Sequence, residues 1–257
     1  MPQDPPWFLA DDLPAQGPIT LGAGESAHLA RVLRLESGTP ITLFDGRGRT
    51  QPAKVVTASP KAAVCEATEP AAEHPRRPPI VIAAASPKGP RADAMVDMLA
   101  QLGATAWVPL RSERSVVHPR DAKLDRWRAA AVQTCKQCHD PWAMGVGALT
   151  GLAALFDPAW PGASARTALG LPDADLAWRR LWADTPAGED GRGGVPPWKG
   201  PASPLLVLVG PEGGWTDAER AAAGQAGCQT LSLGANVLRV ETAAVAAAAV
   251  LRSGEAR

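Results

Sequence analysis

The sequence predicts an α/β protein in which a parallel-sheet domain follows a small β-rich domain. Three observations carry that expectation. From Ile80 onward, short apolar segments alternate with segments of helical periodicity, the βαβ rhythm of a parallel sheet. Before residue 72 the apolar segments are short and separated by turn residues, as in a small barrel. Between them, residues 71–79 (Ala-Ala-Glu-His-Pro-Arg-Arg-Pro-Pro) form a Pro-rich connector. The expected division is 1–72, a linker at 73–79, and 80–257.

Composition agrees with a folded chain. Of 257 residues, 46% are hydrophobic and 20% charged, enough apolar material for a sizeable core. Lys plus Arg and Asp plus Glu are both 26, so the formal net charge is zero. This excludes a polybasic tail or an acidic disordered chain. It does not exclude a nucleic-acid partner, because residues 80–139 hold nine Lys or Arg against five Asp or Glu. No basic segment followed by an apolar core opens the chain. The longest apolar runs, Leu205–Val209 and Ala243–Leu251, are too short to span a bilayer. A soluble cytoplasmic protein, without membrane association, is the expectation.

In the first domain, Ile41–Phe44 reads as a strand entering a tight turn at Asp45-Gly46-Arg47-Gly48. Lys54–Val56 and Ala63–Cys65 continue the strands, and one short helix is expected from Glu25 to Leu35. The second domain starts with a buried strand, Ile80–Ala85. A helix over Arg91–Leu102 places Met95, Met98, Leu99 and Leu102 on one face, with Gly103 as its C-cap. Trp107–Leu110 is the next strand and Lys123–Gln137 the next helix. Thr167–Leu171 reads as a strand, and the Pro/Gly-rich stretch at about 183–204 as an insertion. Leu205–Val209 is a strongly apolar strand. A Gly-rich turn, a helix, a strand at Gln229–Leu233 and an Ala-rich helix from about Thr242 follow.

Two strand–loop–helix turns attract attention as binding elements. The first is Gly210-Pro211-Glu212-Gly213-Gly214, followed by Thr216-x-x-Glu219, a capping box that opens the next helix. Glycines let backbone approach a ligand closely, and the carboxyl ends of parallel strands are where open α/β sheets bind ligands. The spacing fits neither a Walker loop nor a dinucleotide fingerprint. The second is Ser232–Ala243, where Arg239 and Glu241 stand at a helix start that favours a carboxylate. An N-terminal cap with a surface Arg explains the same residues locally. Two basic clusters, Ser86–Arg91 with Lys88 and Arg91, and Arg111–Ser115 with Arg114, follow strands and fall on the same rim. Cys135-Lys136-Gln137-Cys138-His139 matches a haem-attachment spacing, but haem attachment needs export and zinc needs a second ligand pair. Neither haem nor zinc is expected there; cysteines packing as small hydrophobes are.

Taken together, Ser86-Pro87-Lys88-Gly89-x-Arg91, Ser112-Glu113-Arg114-Ser115-Val116-Val117, Gly210–Gly214 and Leu238-Arg239-Val240-Glu241-Thr242-Ala243 resemble the ribosomal RNA small-subunit methyltransferase E family of the SPOUT superfamily. His28-Leu29-x-x-Val32-Leu33-Arg34 and Asp45-Gly46-x-Gly48 resemble its PUA-like domain. The resemblance implies a PUA-like β-barrel, a SPOUT domain with a trefoil knot, S-adenosyl-L-methionine as cofactor and a homodimer. It implies methylation of N3 of a uridine in 16S rRNA, as free RNA or in the small ribosomal subunit. On this resemblance Gly210, Pro211, Glu212, Gly213, Gly214, Leu233, Gly234 and Leu238 contact the cofactor. Arg239 and Glu241 lie beside the methyl group, and Lys88, Arg91, Arg114 and Arg34 contact RNA. No metal is needed. Glu241 stands either as the base for the imide proton or as a helix-capping or Arg-orienting group. A ribose 2′-O-methyltransferase and a non-catalytic RNA-binding or assembly protein remain the competing functions.

Overall fold

The computed structural model describes residues 4–15, 17–174, 176–184 and 203–253. These form two compact units, one built from the chain up to Arg77 together with Val132–Ala143, the other from Pro78–Ala131 with Met144 onward.

The first unit is a six-stranded sheet. Its strands are β1 (Trp7–Leu9), β2 (Pro18–Thr20), β3 (Pro40–Phe44), β4 (Arg49–Thr57), β5 (Val64–Ala67) and β6 (Ala72–Glu73), in the order β1-β3-β4-β5-β2 with β6 also on β4. β1 runs parallel to β3 and the other pairs are antiparallel. The turn at Asp45 forms as expected. Asp45 Oδ1 accepts the Arg47 and Arg49 amides at 2.7 and 3.0 Å, a side-chain turn that pins β3 to β4. Phe8, Leu13, Leu29, Ile41, Leu43 and Val55 fill the core. The expected helix over Glu25–Leu35 is shorter. It comprises α1 (Ala23–Ala27) and a π-helical turn, His28–Val32, and ends before Arg34, whose φ is 52°. Leu29 is its one fully enclosed large side chain, whereas Val32 and Leu33 stay exposed, so little burial supports further helix.

A linear boundary at the Pro-rich connector leaves out residues 132–143. They carry the last turns of α3 (Asp121–Cys138), and the first unit claims them through a buried ion pair. Lys136 Nζ lies 2.9 Å from both carboxylate oxygens of Glu25, and Glu25 Oε2 also accepts the Leu9 amide at 3.2 Å. Burial, and Lys136 beside it, hold the His28 imidazole below its ordinary pKa despite Glu25.

The second unit is a seven-stranded sheet whose pairs are all parallel. Its strands are β7 (Ile80–Ala85), β8 (Ala106–Arg111), β9 (Gly145–Val146), β10 (Thr150–Gly151), β11 (Arg179–Ala183), β12 (Leu205–Val209) and β13 (Gln229–Leu231). The order is β10-β8-β7-β12-β11-β13, with β9 also on β8. β7 and β12 are buried at every position because both faces are covered, which is why they read as unbroken apolar runs. Alternate residues serve opposite cores. Ile80, Ile82, Leu205 and Val207 join one cluster with Met95, Leu99 and Ala247; Val81, Ala83, Leu206 and Leu208 join the other with Trp160, Trp182 and Trp215.

The helices are α2 (Pro90–Gln101), α3, the short α4 (Leu152–Phe156) and α5 (Ala163–Ala168), α6 (Asp217–Gln225) and α7 (Val240–Ser253). α7 follows the edge strand β13 yet packs on α2 and the central strands β7 and β12. Its Arg252 donates to Gly103 O at 2.7 Å and Pro78 O at 2.9 Å, tying its end to the C-terminus of α2.

Two expectations are corrected. Thr167–Leu171 is not a strand. It is the end of α5 and a left-handed turn at Gly170 (φ 60°) that buries Leu169 and Leu171. Their i, i+2 spacing imitates a strand because a turn can also aim two such residues at a core. The strand lies instead at Arg179–Ala183, where two arginines conceal it. It hydrogen-bonds to strands on both sides, and that pairing overrides its composition. The strand expected to reach Leu233 ends at Leu231. Most of the proposed insertion, 185–202, lies outside the described residues. Among the described residues, no helix is long and apolar enough to cross a membrane.

Candidate active-site cleft

Two loops at the carboxyl ends of β12 and β13 line a partly open cleft. The first wall is the Gly-rich loop. Its shape follows from the indole of Trp215, which folds back over Gly210. A Cβ on Gly210 would stand 2.7 Å from the ring, so only glycine fits. Trp215 Nε1 donates to Ala183 O at 2.9 Å, and its ring stacks on Trp182 at 3.9 Å. Gly214 turns the chain with φ 69°, a left-handed conformation that favours glycine.

The capping box of α6 closes as the sequence predicts. Thr216 Oγ1 accepts the Glu219 amide at 3.2 Å, and Glu219 Oε2 accepts the Thr216 amide at 2.9 Å. The same carboxylate reaches further. Its Oε1 accepts the Glu113 amide at 2.8 Å, which brings the Ser112–Ser115 segment against the Gly-rich loop. Arg114 Nη1 donates to Gly213 O at 2.8 Å. Motifs about a hundred residues apart therefore form one hydrogen-bonded shelf.

The second wall runs from Leu231 through Gly234 and Leu238 into α7. Arg239 caps that helix with its carbonyl, which accepts the Ala243 amide at 2.8 Å. Of the residues expected to touch a cofactor, Gly210, Pro211, Glu212, Gly214, Leu233, Gly234 and Leu238 line the cleft. Gly213 does not; its carbonyl is engaged by Arg114. Arg239 and Glu241 are not lining residues, but each adjoins one, Leu238 and Val240. Arg239 is exposed, and among the described residues its guanidinium has no partner. Glu241 is only 9% exposed, and its buried Oε2 receives no hydrogen bond.

The sequence reading missed Asp184 and Arg220, which also line the cleft. Arg220 Nε donates to Asp184 Oδ2 at 2.8 Å, and Nη1 donates to Trp215 O at 3.0 Å. The hydrogen bond with Asp184 raises the Arg220 pKa further, against burial, which lowers it. Recognising β11 as a strand would have placed Asp184 at a strand carboxyl end.

The basic rim is thinner than the charge count implied. Lys88 is exposed. Arg91 faces carboxylates, with Nη1 at 3.7 Å from Glu241 Oε1 and Nη2 at 3.9 Å from Glu212 Oε1. Arg34 belongs to the first unit, where it is exposed. Lys123 and Arg126 are spent on Asp93, at 2.9 and 2.8 Å, and Trp127 Nε1 donates to it at 2.7 Å. Burial opposes the Asp93 charge, but those donors prevail and its pKa is lowered. Cys135 is buried, Cys138 is exposed, and the His139 ring stacks on Trp7 at 5.1 Å. Among the described residues, no group of three or more His, Cys, Asp or Glu is placed to hold a metal.

Comparison with known proteins gives this geometry a context. A family profile described as an RNA methyltransferase domain matches residues 74–252, and one described as an RNA methyltransferase PUA domain matches residues 21–68. A ribosomal RNA small subunit methyltransferase E from Synechocystis sp. is 30% identical over 238 residues, covering 91% of this chain and 73% of the relative. A protein of the same name from Mycobacterium tuberculosis is 28% identical, covering 93% and 88%. A ribosomal RNA small subunit methyltransferase E from Neisseria gonorrhoeae, solved bound to S-adenosyl methionine, is 27% identical with a TM-score of 0.80, covering 97% of both chains. A probable rRNA-methyltransferase structure from Porphyromonas gingivalis is 26% identical with a TM-score of 0.77, covering 97% of this chain and 98% of that one. With a matched domain over most of its length and relatives aligned across both units, this chain belongs to the ribosomal RNA small subunit methyltransferase E family.

Proposed function

We propose that this protein transfers a methyl group from S-adenosyl-L-methionine to N3 of a uridine in 16S rRNA. The observation that carries the chemistry is the start of α7, where, among the described residues, the Arg239 guanidinium has no partner and the buried Glu241 Oε2 has no donor, each next to a cleft-lining residue. The cleft suits the cofactor. Gly210 and Gly214 keep the backbone bare, Leu231, Leu233 and Leu238 supply apolar walls, and Glu212 and Asp184 supply acceptors for hydrogen-bond donors. When bound, the cofactor supplies a methyl carbon already activated by its sulfonium, so no metal is required.

The protein's own work is to prepare the acceptor. Uracil N3 carries a weakly acidic imide proton. Glu241 takes that proton once substrate entry uncovers its carboxylate, and Arg239 stabilises the negative charge that spreads onto the uracil oxygens. Lys88 and Arg34, both exposed, contact the RNA backbone, and Arg114 does so with the donors it does not spend on Gly213. The target base leaves its stack to reach the cleft.

The path of α7, from the edge strand back to the sheet centre, supports a trefoil knot in this unit. We place the enzyme in the cytoplasm as a homodimer. Mass mapping of nucleosides in 16S rRNA from a deletion strain tests the reaction. Loss of 3-methyluridine, restored by the wild-type gene and not by Arg239→Ala, is the expected result. Persistence of 3-methyluridine with loss of a ribose 2′-O-methyl group would overturn the acceptor.

A further inference from the structure

Arg91 stands second in α2, inside the first turn, where the helix dipole disfavours a cation. Gly89 caps that helix without a side-chain hydrogen bond, and Asp93 is occupied by Lys123, Arg126 and Trp127. Nothing on α2 itself compensates the guanidinium. Compensation comes from two other elements. One nitrogen faces Glu212 in the Gly-rich loop at 3.9 Å and the other faces Glu241 in the first turn of α7 at 3.7 Å. Those carboxylates belong to the two chain segments that wall the cleft.

We infer that Arg91 is a positioning residue, a two-ended cross-link that sets the spacing of the cleft walls and holds Glu241 by Oε1. Both distances lie in the ion-pair range but beyond hydrogen-bond length, so the link has about one ångström in which to tighten as the cleft fills. Holding Oε1 leaves Oε2 as the acceptor without a donor. The fork matters. A guanidinium presents separate N–H donors to two carboxylates, whereas an ammonium is a point charge that serves one. This role replaces the RNA contact expected of Arg91. Its rate consequence rests on the proposed reading of Glu241, but its effect on cofactor binding does not.

A double-mutant cycle tests it on the full-length protein. S-adenosyl-L-methionine affinity is measured by calorimetry for Arg91→Gln, Glu212→Gln and the double variant. Arg91→Gln should weaken binding about 10-fold, Glu212→Gln at least as much because Glu212 also lines the cleft, and the double change no more than Glu212→Gln alone. Arg91→Lys should recover little cofactor affinity. RNA affinity, titrated against salt, should keep its slope in Arg91→Gln, while kcat at saturating RNA and cofactor falls. A double variant weakened by the product of the two single losses overturns the cross-link. So does full recovery by Arg91→Lys. So does a loss of RNA affinity with a salt slope lower by about one and unchanged cofactor binding, the signature of a phosphate contact. If the wild-type protein leaves rRNA unmethylated while the cycle remains non-additive, the proposed reaction fails and the cross-link stands.

Discussion

The two walls of the cleft are made alike, each a strand, a loop and a helix start, yet they are held very differently. The Gly-rich wall is fastened at several points. Trp215 covers Gly210, Arg114 holds Gly213, and Glu219 binds both the Thr216 and Glu113 amides. Along the other wall, from 232 to 239, no side-chain hydrogen bond is present among the described residues, and Val237 is 83% exposed. Both follow the carboxyl ends of parallel strands, so that placement alone does not explain the contrast. Packing does, because the first loop sits between a tryptophan pair and a neighbouring loop. The lesson is a division of labour. One wall is fastened by side chains, and we expect the other to order around what enters.

The comparison can be broken at four places. Arg239→Ala removes the exposed cation that starts α7 on the loose wall. We expect methyl transfer to fall at least about 100-fold, roughly 2.7 kcal/mol in the barrier, with cofactor affinity nearly unchanged. Transfer and binding are to be measured separately, and retained transfer would remove Arg239 from the chemistry. Glu219→Ala strikes the fastened wall and strands two amides at once. A loss of about 2 kcal/mol in denaturant unfolding is expected. Gly210→Ala drives a methyl group into Trp215, and about 1–2 kcal/mol should be lost, together with cofactor affinity. Asn236→Ala on the loose wall should change stability by less than about 0.5 kcal/mol. Hydrogen exchange sharpens the contrast: adding S-adenosyl-L-methionine should slow amides at 232–239 far more than those at 210–216. Equal protection of both walls would erase the distinction.

Much of this site is legible in the chain because its signals are local. The continuous apolar runs of β7 and β12 announce strands buried on both faces, and Thr216-x-x-Glu219 announces its own cap. The glycines of 210–214 mark a loop without saying why Gly210 is needed, since Trp215 supplies the reason only by folding back. β11 escaped because Arg179 and Arg180 obscure its pattern, and Asp184 escaped with it. Thr167–Leu171 misled because two leucines at strand spacing serve equally well in a turn.

What the sequence determined by itself is what neighbouring residues decide among themselves: strand and helix periods, the capping box, the Gly-rich turn and the motifs that mark the family. Tertiary structure alone decided which distant charges meet. Of the nine cations of residues 80–139, the chain alone suggests a rim of Lys88, Arg91 and Arg114 and leaves helix cations such as Lys123 and Arg126 equally well read as a solvated face. Folding spends Lys123 and Arg126 on Asp93, sets Arg114 on the Gly213 carbonyl and turns Arg91 to Glu212 and Glu241. The physical reason is reach. Backbone hydrogen bonding and side-chain periodicity act over a few residues, whereas a charge is neutralised by whatever the fold brings within about 4 Å.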